Sequence, residues 1–537
     1  MTDFPPHQPE FLPKIVTVWR EGYGLKSLRA DAIAGLTVAI VALPLSMAIA
    51  IASGVGPERG LYTAIVGGFL VSALGGSRYQ IGGPAGAFIV LVAACTAAIG
   101  VPGLILATLL SGLFLALAGL LKLGSYVRYI PYPVTLGFTA GIAVIIFASQ
   151  ITDLAGLTVA QEPAAFLPKL DALWQARATL NPAATAIALV TITLIQGLKA
   201  IAPRLPGMLI AVATAAVLVA LFHLPVETIQ DRFGDLPRTP PLPQLPAITA
   251  ATLQAALPWA LSFTLLGAIE SLLSAVVADG MSGARHRSNV ELLAQGAANV
   301  GSALFGGFCT TGTIARTATN VRAGSRGPVS GLLAALFILL FMLIAAPLAG
   351  KIPLAALAGL LAVVAWNMVE KAEIWLLART SRADSIVIAV TFLFVVFRDL
   401  TTGIVTGFAL GGLVFIHRMS HSARVETPTP DIARPDRVIV RLSGPYFFGA
   451  AAQLSAALDQ IADHPRHFVL DLSDLNYLDS SGARSLELLA RKTRRKGGQL
   501  VFLATRPAQH RILEKAGLTP PLARYLPDLA ALDALDA

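Results

Sequence analysis

Charge is scarce in this chain of 537 residues. Only 13% of them are Asp, Glu, Lys or Arg, against about a quarter in an average soluble protein. That shortage excludes an ordinary soluble enzyme. With 55% hydrophobic residues, it also excludes a disordered chain, whose composition is the reverse. Cysteine is scarcer still. Cys95 and Cys309, the two present, sit in runs of apolar or small residues, which rules out a disulfide framework and a four-cysteine zinc site. No metal site and no organic cofactor are expected. Residues 1–30 are charged and proline-rich and lack an early apolar core, so no signal peptide is expected there.

The charge that is present is unevenly spread. Residues 1–424 hold 26 Lys and Arg and 18 Asp and Glu, whereas the shorter stretch 425–537 holds 14 and 13. The step reads as a membrane domain followed by a soluble one. The expected division is a cytoplasmic N-terminal segment 1–30, a transmembrane domain 31–420, a linker 421–436 and a soluble domain 437–537. The mean hydropathy of +0.71 fits that reading. The net charge of +9 lies mostly in the membrane part. Its basic residues fall between apolar runs, so it reports topology rather than nucleic-acid binding.

A helix needs about 20 apolar residues to cross a bilayer. Uncharged stretches of suitable length recur, among them 32–57, 129–152, 178–198, 292–315 and 327–350. Fourteen segments are expected, starting near residues 32, 60, 85, 103, 131, 182, 206, 256, 290, 313, 328, 353, 384 and 400. They are numbered here as spans 1–14. Alternating the loops puts 18 Lys and Arg on the side of both termini and 7 on the other, so both termini are expected in the cytoplasm. Arg316 falls inside a span.

Two spans are abnormal. Span 3 begins at Ile81-Gly-Gly-Pro-Ala-Gly-Ala-Phe88, and span 10 at Gly306-Gly-Phe-Cys-Thr-Thr-Gly-Thr-Ile-Ala-Arg316. Both look too short to cross, and they hold the same ordinal place in two sets of seven. Paired, Gly/Pro-interrupted segments point to a midplane site in an inverted-repeat transporter. A helix that starts inside the membrane exposes unpaired N–H groups at the positive end of its dipole, and so attracts anions. Pro84 suits the first turn of a helix. The small residues Ala85, Gly86 and Ala87 permit close approach to the backbone. Thr310, Thr311 and Thr313 are able to cap or donate hydroxyls.

Arg316 stands in the first turn of span 10, where the dipole disfavours a cation and the membrane penalises a charge. A bound anion offsets both terms. An interfacial position or a permanent ion pair would explain it without a ligand. Glu270 is the other intramembrane charge, in an apolar helix with Gly267, Ser271 and Ser274 around it. It would carry a coupled proton or balance Arg316; a purely structural salt bridge is the alternative. Asn299 and Asn320 are expected to be satisfied by neighbouring helices. The Pro-rich stretch 228–246 reads as an extracytoplasmic linker. The basic run Arg491-Lys-Thr-Arg-Arg-Lys496 reads first as a solvated helix face and second as a contact for anionic membrane lipid.

These features together resemble the SulP anion permeases, solute carrier family 26 in animals. The resemblance rests on Ala34-Gly-Leu-Thr-Val-Ala-Ile-Val-Ala-Leu-Pro-Leu45, Gly60-Leu-Tyr-Thr-Ala-Ile65, Ile81-Gly-Gly-Pro-Ala-Gly86, Glu270-Ser-Leu-Leu-Ser274, Val277-Ala-Asp279 and Ala315-Arg-Thr-Ala-Thr-Asn320, in that order. It implies an α-helical polytopic membrane protein of two inverted seven-segment repeats, with core and gate domains, an elevator-like movement and a homodimer. It places a small anion near Ala85, Gly86, Ala87, Phe88, Thr313, Ile314, Ala315 and Arg316, with Leu45 and Ile49 of span 1. It assigns ion coupling to Glu270, Ser274 and Gly312. Where some members have Asp and hold Na⁺, this chain has Glu270, which favours H⁺ over Na⁺. Leu45 stands where many members have Gln, as in some bicarbonate-type members.

The soluble domain changes period. Strands are expected at 438–442, 468–472 and 499–503, with helices near 451–462, 482–495 and 507–516, an α/β sandwich. Asp479-Ser-Ser-Gly482 opens a helix that Asp479 or Ser480 would cap. The domain resembles STAS modules, in which the matching loop can carry a phosphorylatable serine, here Ser481, and which dock cytosolic proteins. The resulting expectation is a multi-pass inner (plasma) membrane secondary transporter for bicarbonate or sulfate, with a dicarboxylate or an anion-exchange mode next. The rivals are a membrane-tethered anion sensor or scaffold and a nucleobase–proton symporter. An enzyme is not expected, because no His stands in a triad arrangement.

Overall fold

The computed structural model describes residues 11–126, 131–159, 163, 165–203, 205–239, 242–422, 424–425, 429–431, 434–446 and 467–536. The chain divides into two compact units, Met1–Phe408 and Ala409–Ala537.

A helix stands at each of the fourteen expected places. Span 1 is Leu25–Ala52. Span 2 runs from Pro57–Tyr62 through a π-helical turn, Thr63–Gly67, into Gly68–Leu74. Spans 3 and 4 form one stretch, Gly86–Leu120, bent at Gly100, whose φ of 69° breaks the helix two residues before Pro102. Span 5 is Tyr132–Ala155, span 6 Pro182–Ile201 and span 7 Gly207–Phe222. Span 8 is Ala250–Ser282, span 9 Ser288–Leu304 and span 10 the nine-residue Ile314–Arg322. Span 11 is Val329–Gly350, span 12 Leu354–Met368, span 13 Arg382–Phe397 and span 14 Leu400–Ser422. Among the described residues, eight helices are long and apolar enough to cross a membrane.

Local chemistry sets several ends. Asn181 accepts from the amides of Ala183 and Ala184 to start span 6, Thr249 opens span 8 through a reciprocal bond with Thr252, and Gly283 in the left-handed region stops it. Span 1 starts seven residues earlier than expected, near 25 rather than 32. The early turns carry Lys26, Arg29 and Asp31, charges that the apolar-run criterion places outside. Short helices outside the expected set include Lys14–Arg20, Phe166–Gln175, Lys371–Thr380 and, within the stretch 228–246 expected as a linker, Ile229–Phe233.

The spans sort into two bundles. Spans 1–4 pack with spans 8–11, and spans 5–7 with spans 12–14. Small residues bring the helices close, as is usual inside membranes. A Cβ on Gly112 of span 4 would lie 2.7 Å from the Gly296 carbonyl of span 9, and one on Gly35 2.5 Å from the Ser330 carbonyl of span 11. In the other bundle, a Cβ on Gly137 of span 5 would lie 2.5 Å from the Ile388 carbonyl of span 13.

Two short strands belong to the first bundle: β1, Gly82–Gly83, pairs antiparallel with β2, Thr311–Gly312. The C-terminal unit has seven more among its described residues. Among these, β3 (Arg424–Val425) and β4 (Thr429–Asp431) pair antiparallel with the long β5 (Arg434–Tyr446). Strands β6 (His467–Asp471), β7 (Leu475–Leu478), β8 (Gln499–Leu503) and β9 (Ala523–Leu526) complete the sheet, with β5, β6, β8 and β9 parallel in that order. The stretch 421–436 expected as a linker therefore carries strands, because the sheet starts upstream of its most apolar segment. Helices Ser480–Arg495 and Pro507–Lys515 match expectation. Asp479 caps the first, accepting from Gly482 N at 2.6 Å, and Ser481 is exposed in its first turn. The helix expected near 451–462 lies outside the described residues.

Candidate functional site

Each broken span begins where its lead-in crosses the other. Gly82 is the register partner of Gly312, and Gly83 of Thr311. The crossing places the starts of spans 3 and 10 side by side, since two residues separate Gly83 from the 3₁₀ turn Gly86–Phe88 and one separates Gly312 from Ile314. Thr313 N and Thr313 Oγ1 both donate to Ile81 O, at 2.9 and 3.2 Å, and Ile81 N donates to Thr317 Oγ1 at 3.1 Å. Neither helix start has a side-chain cap. Two of the three threonine hydroxyls expected to cap span 10 are used otherwise, Thr313 as above and Thr311 Oγ1 donating to Gly267 O of span 8 at 3.2 Å, while Thr310 Oγ1 has no partner among the described residues. Pro84, expected inside the first turn of span 3, stands before it, and Ala85 holds the N-cap position. Two uncapped, positive helix ends thus adjoin one another.

The sheet needs its glycines. Gly83 has φ +149°, and a Cβ there would lie 2.3 Å from Arg316 Nη1. The bare backbone lets the guanidinium lie across it. Arg316 is 2% exposed. Its Nη2 donates to Ser46 Oγ of span 1 at 3.1 Å and to Pro84 O at 3.3 Å. Nε and Nη1 have no partner among the described residues, and no described carboxylate pairs with this cation. A buried donor left unmade costs about 1–3 kcal/mol, and more when charged. An anion at this point would meet two unpartnered donor nitrogens and two helix ends.

Glu270 is 7% exposed on span 8. Gly267, one turn before it, accepts from Thr311, while Ser274 Oγ, one turn after it, donates to Thr317 Oγ1 at 3.1 Å. Residues three and seven apart share a helix face, so Glu270 faces the start of span 10. It makes no ion pair or hydrogen bond with a described residue.

The expected residues therefore divide. Ala85, Gly86, Ala87, Thr313, Ile314, Ala315 and Arg316 come together at the crossing. Gly86 is half-buried and Ile314 and Ala315 are exposed, so the ends are reachable. A Cβ on Gly86 would lie 3.7 Å from Met368 Sδ and 3.8 Å from Ile146 Cδ1, so the bundle of spans 5–7 and 12–14 faces this end. Phe88 instead packs its ring on Phe263, centroids 6.1 Å apart. Leu45 and Ile49 are buried on span 1, and the span 1 residue bonded to Arg316 is Ser46. Gly312 is part of the crossing, paired with Gly82, and Ser274 bonds Thr317 of span 10. Ser481 belongs to the C-terminal unit.

Some polar residues escaped the sequence reading. Asp31 is fully buried and accepts from Tyr23 Oη, Ser325 Oγ, Arg326 N and Gly327 N. Glu291 is fully buried and accepts from Gly76 N and Ser77 N at 2.9 and 3.1 Å. Both stand near span ends, where a charge reads as a loop residue. The spacing of Glu291, Gln295 and Asn299 at every fourth position was the available signal.

The pattern of the Sulfate permease family matches residues 28–391, and that of the STAS domain residues 429–525. YvdB of Bacillus subtilis, a protein named for sulfate transport, is 39% identical over 505 residues, 93% of this chain and 95% of that one. The solved transmembrane domain of the bicarbonate transporter BicA of a cyanobacterium is 31% identical with a TM-score of 0.63, covering 72% of this chain and 98% of that one. Murine Solute Carrier 26 family member A9 is 18% identical with a TM-score of 0.85, covering 100% of this chain and 96% of that one, which shows a shared fold. With a pattern that spans the crossing and both bundles, this polytopic membrane protein belongs to the Sulfate permease family and ends in a STAS domain.

Proposed function

We propose that the protein is a secondary transporter of a small oxyanion, bicarbonate or sulfate, bound between the starts of spans 3 and 10. The observation that carries this reading is the buried Arg316 with two unpartnered donors beside two uncapped helix ends. The amides near Ala85–Phe88 and Thr313–Arg316 would take the anion's oxygens, and Arg316 its charge. The relatives named for sulfate and bicarbonate transport support that substrate class; a dicarboxylate is the alternative.

Glu270 faces the same helix end without a partner, so it carries the coupling: a proton when neutral, or Na⁺ with Ser274 and the Gly312 backbone. H⁺ is the preferred ion. The two-bundle packing supports an elevator-like step, in which spans 1–4 and 8–11 carry the anion past spans 5–7 and 12–14. The loop charge supports both termini in the cytoplasm of a plasma-membrane protein, which works as a homodimer with its STAS domain open to cytosolic partners and, through Ser481, to modification. Uptake of labelled sulfate and bicarbonate into proteoliposomes, under separate H⁺ and Na⁺ gradients, tests this. Saturable uptake of one anion driven by one gradient is expected. Binding without uptake would leave a sensor or scaffold instead.

A further inference from the structure

Span 9 carries more buried polarity than the anion pocket needs. Glu291, Gln295 and Asn299 recur at every fourth residue, and Ser302 follows on the same side. They are 0, 0, 2 and 0% exposed. Burying such groups in a membrane is costly unless each is bonded. Most of their partners are not helices. Glu291 Oε2 accepts from the amides of Gly76 and Ser77, and Gln295 Nε2 steadies its other oxygen at 2.8 Å. Ser302 Oγ donates to Phe308 O at 2.7 Å. One helix thus grips the lead-in to span 3 at one end and the lead-in to span 10 at the other.

Asn299 makes the decisive contact. Its Oδ1 accepts from Thr310 N at 3.1 Å, and its Nδ2 donates to Thr310 O at 2.8 Å and to Gln295 O at 2.8 Å. One side chain satisfies both backbone groups of Thr310, as a neighbouring strand would. Thr310 adjoins β2 and stands six residues before Arg316, with no flexible loop between them. A Cβ on Gly67, in the π-helical turn of span 2, would lie 2.6 Å from Thr310 Oγ1. Thr310 is therefore backed by span 2 and anchored by span 9.

We infer that Asn299 is a positioning residue: through Thr310 it sets where the start of span 10, with Arg316, stands against the start of span 3, and hence how tightly the anion is held. This rests on the transport reading above. Misplacing a binding group by about 1 Å costs up to about a hundredfold, so the anchor would act on affinity before it acted on turnover.

The test uses the full chain in proteoliposomes. Asn299→Ala removes both bonds; Asn299→Gln keeps both groups on an arm one methylene longer and guards against a variant that does not fold. For Asn299→Gln, the KM for sulfate or bicarbonate is expected to rise about tenfold with Vmax within about twofold of wild type. Spin labels at Ala98→Cys and Thr319→Cys, with Cys95 and Cys309 replaced by serine, report the separation of spans 3 and 10 independently of transport. A changed distance together with the KM rise supports the anchor. An unchanged KM, or a fall in Vmax alone with the distance unchanged, overturns it and leaves Asn299 as ordinary packing. Should the wild type take up neither anion, the transport reading falls, and the distance in Asn299→Gln still decides the anchor.

Discussion

The two bundles of the membrane unit bury polar groups in different ways. In spans 5–7 and 12–14, Gln150, Thr191 and Thr391 bond back to their own helices, at Ile146 O, Ile187 O and Val387 O. The exception is Lys169, which reaches Ser149 Oγ at 2.8 Å. In spans 1–4 and 8–11, Ser53 and Thr108 also bond back to their own helices, but a further set bonds across segments: Arg316 to Ser46, Ser274 to Thr317, Asn299 to Thr310, Glu291 to Gly76. Polar groups cross-link spans 1–4 and 8–11, while apolar and small-residue packing holds spans 5–7 and 12–14. On the elevator-like step proposed above, the cross-linked body is the one that would move as a unit, with the anion on it.

That contrast orders the expected effects. The largest is Arg316→Ala. Truncating a buried charge that binds a charge costs about 2–5 kcal/mol, so labelled uptake should fall at least about thirtyfold while the purified protein keeps its helical circular dichroism. Gly83→Ala comes next. Its Cβ would meet Arg316 Nη1 at 2.3 Å in a conformation that favours glycine, so the guanidinium is pushed aside and the KM for the anion should rise about tenfold. Glu270→Gln should leave binding in place and flatten the dependence of uptake on an imposed pH gradient; a pH profile of unchanged shape would remove proton coupling through this residue. The smallest effect on binding belongs to the apolar bundle. Gly141→Ala would bring a Cβ within 2.5 Å of Val395 Cγ1, an overpacking of about 1–3 kcal/mol. The melting temperature should fall with KM unchanged. A KM effect as large as that of Gly83→Ala would erase the distinction between the bundles.

The sequence made the helices legible and the crossing only half so. Long apolar runs located most of the fourteen spans, because hydropathy reports lipid or helix neighbours directly. The short, Gly/Pro-broken starts near Pro84 and Thr313 marked where the chain departs from that rule. The pairing of Gly82–Gly83 with Thr311–Gly312 has no local signature, since two-residue strands of glycine and threonine carry no period. Asp31 and Glu291 were hidden because a charge at a span end looks like a loop charge until the backbone amides it accepts from are known. Ser46 was hidden because a serine beside Leu45 is ordinary in a helix. In the C-terminal unit the three apolar strands were legible, but β3, β4, β7 and β9 were not, being only two to four residues long.

The central claim is a place: one anion held by the uncapped starts of spans 3 and 10 and by Arg316. The most direct measurement is an experimental structure of the protein saturated with whichever of sulfate or bicarbonate it takes up. The account predicts anion density bonded to Arg316 and to amides of both helix starts, absent from Arg316→Ala prepared in the same way. Density elsewhere, with Arg316 paired to Glu270 instead, would contradict it.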